Sequence, residues 1–341
     1  MRRRRFLQAA ALSSFVVAGC RGDKPRVVLY CAQDREFAES ILADFRARTG
    51  IETAVKFDSE ADKSVGLVEE LIREKSRPRC DVFWNNEVIG SLRLQRQGVL
   101  AEYASPSAAT YPEWTKKPGF QMFAARARVL LVNNQRAKGR PAPRSLFDLA
   151  KPAWRSSFAM ARPFFGTTAT HAACLFAHLG ASAAQQLFRD LKANGVQLVP
   201  GNKQSAQTVA RGDAIVGLTD TDDAIIEKES GQDVDIVYPD QTDDSKEALG
   251  TLFLPNTLAL IRNGPNPDAA RQLIDFLLSP EVEAKLAANS SRQIPLNPKA
   301  QADLPGSILR PNQAKAMAVD FEKAADVWDE AQRFLRNLFV D

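Results

Sequence analysis

Phe123-Ala-Ala-Arg-Ala-Arg-Val-Leu-Leu-Val-Asn133 (FAARARVLLVN) reads as a strand long enough to pass from one domain into another. Thr251 to Ile261 forms a second crossing run, broken at Pro255. Before the first crossing, and again between the two, strand and helix alternate. That order predicts a first domain built of discontinuous pieces with a second domain inserted in it. The expected fold class is therefore α/β: two lobes, a cleft between them, and two crossing strands as the hinge.

Working outward, Arg26 to Cys31 (RVVLYC) is a short strand. Asp34 opens a helix with Phe37, Ile41, Leu42 and Phe45 at helical spacing, stopped by Gly50. Ile51 to Phe57 predicts a strand, Ser64 to Lys75 a helix, Cys80 to Trp84 a strand and Glu87 to Gln97 a helix. Such alternation builds a parallel sheet covered on both faces, and ligands then sit beyond the carboxyl ends of its strands. Ala32-Gln33-Asp34 and Asn85-Asn86-Glu87 are therefore candidate cleft segments. Residues 104–121 read as irregular. Beyond the first crossing, Phe158 to Ala161 predicts a strand, and Gly166-Thr167-Thr168 opens a helix running to Leu179. A helix over Ala183 to Asn194, a strand over Gln197 to Val199 and a short helix over Gln204 to Arg211 follow. Ala214 to Leu218 is a strand whose turn, Thr219-Asp220-Thr221-Asp222-Asp223, leads into another helix. From Pro267 onward the pattern is mainly helical. The expected division is lobe one at 26–125 plus 252–310, lobe two at 126–251 and a C-terminal helical segment at 311–341.

The N-terminus predicts export. Arg2 to Arg5 precede an apolar stretch from Ala9 to Gly19, which is too short for a membrane span of about 20 residues. Arg3-Arg4-Arg5-Phe6-Leu7 fits a twin-arginine signal as well as an arginine-rich Sec signal. Val17-Ala18-Gly19-Cys20 resembles a lipobox, which makes residues 1–19 a signal peptide, Cys20 the lipidated residue and 20–25 a linker to the anchor. The expected location is the periplasm or cell envelope, on the membrane without spanning it. The signal's four arginines account for the whole formal charge of +4, so no basic surface argues for nucleic acid. Cys31, Cys80 and Cys174 match no zinc spacing and read as structural thiols.

Asp34, Glu87, Asp220, Asp222 and Asp223 are expected at strand ends facing one cleft; carboxylates suit a hard cation or an ammonium group, though some could simply begin helices. Gly166, Thr167 and Thr168, at a helix start, suit an anion. Arg126 and Arg128 alternate along the crossing strand and so share a face. His171 and His178, the only histidines, lie seven apart and cannot chelate one ion; packing or exposure accounts for them. Trp84, Phe164 and Phe165 could stack on an organic ligand or belong to the core. No G-x-S-x-G or H-E-x-x-H pattern occurs, so a cell-envelope hydrolase is a remote alternative and no enzyme is expected.

Val28-Leu29-Tyr30, Asp81-Val82-Phe83, Ala125 to Val129, Leu149 to Trp154 (LAKPAW) and Pro295-Leu296-Asn297-Pro298 occur in an order and spacing that resemble the ferric-iron-binding branch of the periplasmic binding proteins. The resemblance covers nearly the whole chain after the signal. It implies a Venus-flytrap (type II) fold, a monomer without catalysis, and delivery of a small ligand to an ABC permease and its ATPase. Together with the strand-end and alternation readings, it gives ligand contacts at Asp34, Asn85, Asn86, Glu87, Arg126, Gly166, Thr167, Thr168, Asn202, Thr219, Asp220, Thr221 and Asp222. Asp34, Glu87 and Asp222 would be the metal ligands, and the Gly166 turn and Asn202 would hold a synergistic anion. The chain departs from the family where relatives carry paired tyrosines: Thr221 and Asp222 stand there, and Tyr30, Tyr103, Tyr111 and Tyr238 lie elsewhere. A ferric complex is therefore expected to lack an iron–tyrosinate colour. Ferric iron or a ferric chelate, carried as cargo and not as cofactor, ranks first. A phosphorylated or amino-containing solute (aminophosphonate, thiamine, polyamine) is the alternative.

Overall fold

The computed structural model describes residues 24–58, 65–242 and 249–340. The signal peptide, the lipobox and Cys20 lie outside the described residues.

β1 (Arg26–Cys31) and β2 (Glu52–Phe57) pair in parallel around α1 (Arg35–Thr49). Phe37, Ile41, Leu42 and Phe45 are buried on one face of α1, and Gly50 ends it at φ 69°, a left-handed value that glycine adopts without a Cβ clash. α2 (Val65–Arg73) leads to β3 (Val82–Asn85), which pairs in parallel with β1. α3 (Ile89–Arg96), β4 (Leu100–Ala101) and β5 (Lys116–Lys117) follow, and the stretch read as irregular carries 3-10 turns at Pro106–Thr110 and Glu113–Thr115. β6 (Phe120–Asn133) is buried along its whole length. Next come β7 (Phe158–Ala161), α4 (Gly166–Leu179), α5 (Ala181–Ala193), β8 (Gln197–Val199), α6 (Asn202–Ala210), β9 (Val216–Asp220), α7 (Thr221–Glu229) and β10 (Val234–Val237). β11 (Phe253–Ile261), α8 (Pro267–Leu277), α9 (Pro280–Ala288), α10 (Phe321–Asp326) and α11 (Trp328–Phe339) complete the chain.

The strand order is β2-β1-β3-β11-β6-β9-β7-β8. β6 joins its two halves: Phe120 to Ala127 pair with β11, and Arg128 to Val132 pair with β9. Both partners run antiparallel to β6, whereas β1–β3 and β7–β9 are parallel sets.

Several sequence expectations need correction. Pro255 does not break β11. It pairs with Ala125, the register shifts between Pro255 and Asn256, and Ala124 is left over as a bulge at φ 33°. A bulge accommodates a residue that has no N–H to give the ladder. The bulge is pinned from two sides. Ala124 N–H donates to the buried Glu283 carboxylate at 2.5 Å, and Ala124 C=O accepts from Asn256 Nδ2 at 3.0 Å. The C-terminal part is less helical than its composition suggests, since no helix lies between Ala288 and Phe321. β10, a short strand pairing with the end of β6, was not anticipated. Cys31, Cys80 and Cys174 are buried and form no disulfide among the described residues.

Candidate ligand cleft

The site is built where strand ends meet helix starts. In the antiparallel β6–β9 ladder, Arg128 stands directly opposite Asp220, so the two side chains share a face. Their ion pair is 2.7 Å long, with side-chain exposures of 0% and 5%. Arg128 also reaches Asn202 Oδ1 at 2.9 Å, Thr168 Oγ1 at 3.1 Å and Thr167 Oγ1 at 3.3 Å. Thr167 and Asn202 Nδ2 in turn donate to the second oxygen of Asp220. These partners come from the first turns of α4 and α6, which leave backbone N–H groups without helical partners. Gly166, at φ 55°, turns the chain from the extended Phe165 into α4; a residue with a Cβ would be strained there.

Two residues earlier on β6, Arg126 projects to the same face and spans more of the molecule. Its Nε donates to Asp222 at 2.8 Å and one terminal nitrogen to the Asn86 carbonyl at 2.9 Å. The other terminal nitrogen donates to Gln33 Oε1 at 2.8 Å and Asn256 Oδ1 at 3.1 Å. Burial alone would depress its pKa; Asp222, Asp220, Asp34 and Asp223 more than offset that and hold it above the usual arginine value.

A narrow cleft of ≈ 30 Å³ runs between these groups, bordered by Asp34, Asn86, Arg126, Gly166, Thr167, Asn202, Asp220 and Asp222. That is room for roughly one or two waters. The remaining sequence candidates stand behind its wall. Thr168 hydrogen-bonds Asn202 and Arg128, and Thr219 donates to the Asn202 carbonyl. Thr221 accepts from Ala127 N–H, and Asn85 donates to the backbone and side chain of Glu87. Glu87 is a correction, because it does not border the cleft. One carboxylate oxygen accepts from Asn85 and Gly90 N–H, and the other accepts from Thr170 on α4. Burial raises its pKa despite those donors. A carboxyl so engaged ties the end of β3 to α4.

Trp84 and Phe164 are core residues, and only Phe165 reaches the cleft. His171 is buried in α4, its pKa pushed down to about 3 by burial and by Arg128. Arg162, just past the end of β7, borders the cleft and was overlooked. The strand-end rule that selected Asp34 would have found it. Among the described residues, one acidic group has metal-ligand spacing: oxygens of Asp220, Asp222 and Asp223 lie within 4.8 Å of one another. No tyrosine or histidine borders the cleft.

Residues 85–327 match the family model described as bacterial extracellular solute-binding protein. "Iron uptake protein A1" of Synechocystis is 23% identical over 289 residues, covering 80% of this chain and 77% of that protein. Iron-bound HitA from Pseudomonas aeruginosa superposes with TM-score 0.81 at 21% identity, over 93% of this chain and all of that one. AfuA from Actinobacillus pleuropneumoniae, solved with fructose-6-phosphate, gives 0.78 at 24% identity, over 92% of this chain and 98% of that one. No helix among the described residues is long and apolar enough to cross a membrane. Those likenesses fix the two-lobed binding-protein fold, and the family match makes this chain a member of the bacterial extracellular solute-binding proteins.

Proposed function

We propose that the protein captures a small organic anion, a phosphate monoester or phosphonate first among them, and delivers it to an ABC permease and its ATPase. The observation that carries this reading is the convergence of the starts of α4, α6 and α7 on one cleft that Arg126 and Arg162 border, with Arg128 behind its wall. Unpaired N–H groups and the helix dipoles favour negative charge there. Asp34 and Asp223, on the cleft wall, would take hydroxyl or ammonium groups on the rest of the solute. Asn202, Thr167 and Gly166 would bind the anion.

Capture would close lobe one, residues 26–125 with 252–310, on lobe two, residues 126–251, about β6 and β11. Cys20 would carry the lipid anchor, which intact-mass measurement of the membrane fraction checks. Ferric iron is the second reading, favoured by the spacing of Asp220, Asp222 and Asp223. Against it, Asp220 and Asp222 already hold a guanidinium each.

A thermal-shift screen of the purified protein tests the choice. It would set hexose phosphates and aminophosphonates against ferric citrate and ferric iron with carbonate. A ligand at about 100 times its dissociation constant adds roughly 2.7 kcal/mol of stability. Stabilisation by the phosphorylated solutes supports the proposal. Stabilisation by ferric iron alone replaces it with the second reading.

A further inference from the structure

We propose that Arg126 is the specificity-determining residue of the cleft: its guanidinium occupies the carboxylate cluster as a built-in cation, so that the cleft accepts an anionic solute and rejects a hard metal ion. The inference rests on the proposed choice of ligand class and asks what enforces it.

Three carboxylates whose oxygens lie within 4.8 Å of one another would be expected to attract a multivalent cation. Here a cation is already supplied by the chain. Arg126 Nε lies 2.8 Å from Asp222 Oδ2, both side chains are more than nine-tenths buried, and Asp220 and Asp223 stand alongside. The seat is built, not incidental. The other two guanidinium nitrogens are held by the Asn86 carbonyl, Gln33 and Asn256, acceptors that fix a planar fork and that an ammonium would match poorly.

Arg128, on the same face of β6, engages Asp220 in the same way. Its side chain hydrogen-bonds residues of α4, α6 and β9, whereas Arg126 is held by residues just past β1 and β3, by β11 and by α7. A metal ion would therefore have to displace Arg126 from Asp222 and leave a buried guanidinium beside a multivalent cation, a like-charge contact. Acidic side chains alone thus misreport the ligand: two of the three clustered carboxylates are already paired from within.

Terbium(III) luminescence on the full-length protein tests the proposal, terbium being a hard trivalent probe that stays in solution near neutral pH. The wild type is expected to bind terbium no better than a protein without the cluster. Arg126→Gln, which removes the built-in charge and keeps hydrogen-bonding capacity, should raise terbium affinity by on the order of 100-fold. The gain should vanish in Arg126→Gln/Asp222→Asn and should not arise in Arg126→Lys, which keeps the charge. If Arg126→Gln is unfolded on its own, its melting in terbium decides instead: recovery of a cooperative transition supports the proposal and no recovery overturns it. Tight terbium binding by the wild type, or none by a folded Arg126→Gln, also overturns it. A wild type that ignores both phosphorylated solutes and metal, while Arg126→Gln gains terbium, would leave Arg126's role intact and sink only the choice of organic anion.

Discussion

Two hollows of this molecule differ in almost every respect. The larger, ≈ 530 Å³, lies on the first half of the sheet, floored by Phe120, Leu258, Leu260, Ile274 and Leu278. The cleft between the halves leaves ≈ 30 Å³ and is walled by arginines, carboxylates and helix starts. Volume would choose the first as the ligand site and chemistry chooses the second. The hollow offers burial to any greasy group on its apolar floor, with Glu102, Lys116, Lys117 and Gln121 also in its lining. The cleft region holds two buried ion pairs, in which each charge offsets the desolvation cost of the other, although Arg128 Nε has no hydrogen-bond partner among the described residues. In a binding protein such costly polar groups mark where discrimination happens.

Arg128→Met should break the contrast most severely. It leaves Asp220 buried without its cation, so unfolding in denaturant should show a loss of about 3–5 kcal/mol, and solute binding should disappear. Leu278→Ala, in the floor of the large hollow, removes a side chain that is fully buried. Because one side of it is already poorly packed, about 2–3 kcal/mol is expected to be lost. Solute affinity, read by calorimetry on the folded variant, should not move. A change there would mean that the two hollows are coupled. Asn202→Ala is subtler. It removes a side chain linking Arg128, Thr167 and Thr168, and should weaken an organic phosphate about tenfold, or roughly 1.4 kcal/mol.

Stability should also report His171 beneath the cleft. Burial and Arg128 push its pKa down to about 3, against about 6.5 in an unfolded chain. The folded state thus disfavours the protonated ring. The stability this represents is complete above about pH 6.5 and is lost as pH falls towards 3, with a slope of at most ~1.4 kcal/mol per pH unit. His171→Leu should flatten that part of the stability–pH curve, as measured by chemical denaturation from about pH 7 to 4.

The contrast also explains what the sequence could reveal. β6 was legible because its strand-like run is long and holds neither Gly nor Pro, and Arg126 and Arg128 were legible as a same-face pair by simple alternation. α4 was read to the residue because Gly166 and Gly180 bracket an apolar helix. Glu87 was misjudged: the rule that strand ends face the cleft cannot say which of Asn85, Asn86 and Glu87 turns back into the structure. Glu87 does, because Gly90 N–H and Thr170 are waiting for its carboxylate. Pro255 was overweighted, since a bulge at Ala124 absorbs it, and no local pattern around Ala124 announces a φ of 33°. Least legible was the pairing of each acidic residue with an arginine far away in the chain, Asp222 with Arg126 and Asp220 with Arg128. Two of the five carboxylates that the sequence offered as candidates are held in such pairs.

The most direct test of the account is calorimetric titration of the wild-type protein with matched solutes, a hexose phosphate against the same free hexose and a phosphonate against its uncharged analogue. The account predicts that binding follows the anionic group, with the uncharged partner at least about 100-fold weaker, or roughly 2.7 kcal/mol. Equal binding of the charged and uncharged forms, or heat released only by ferric citrate, would contradict it.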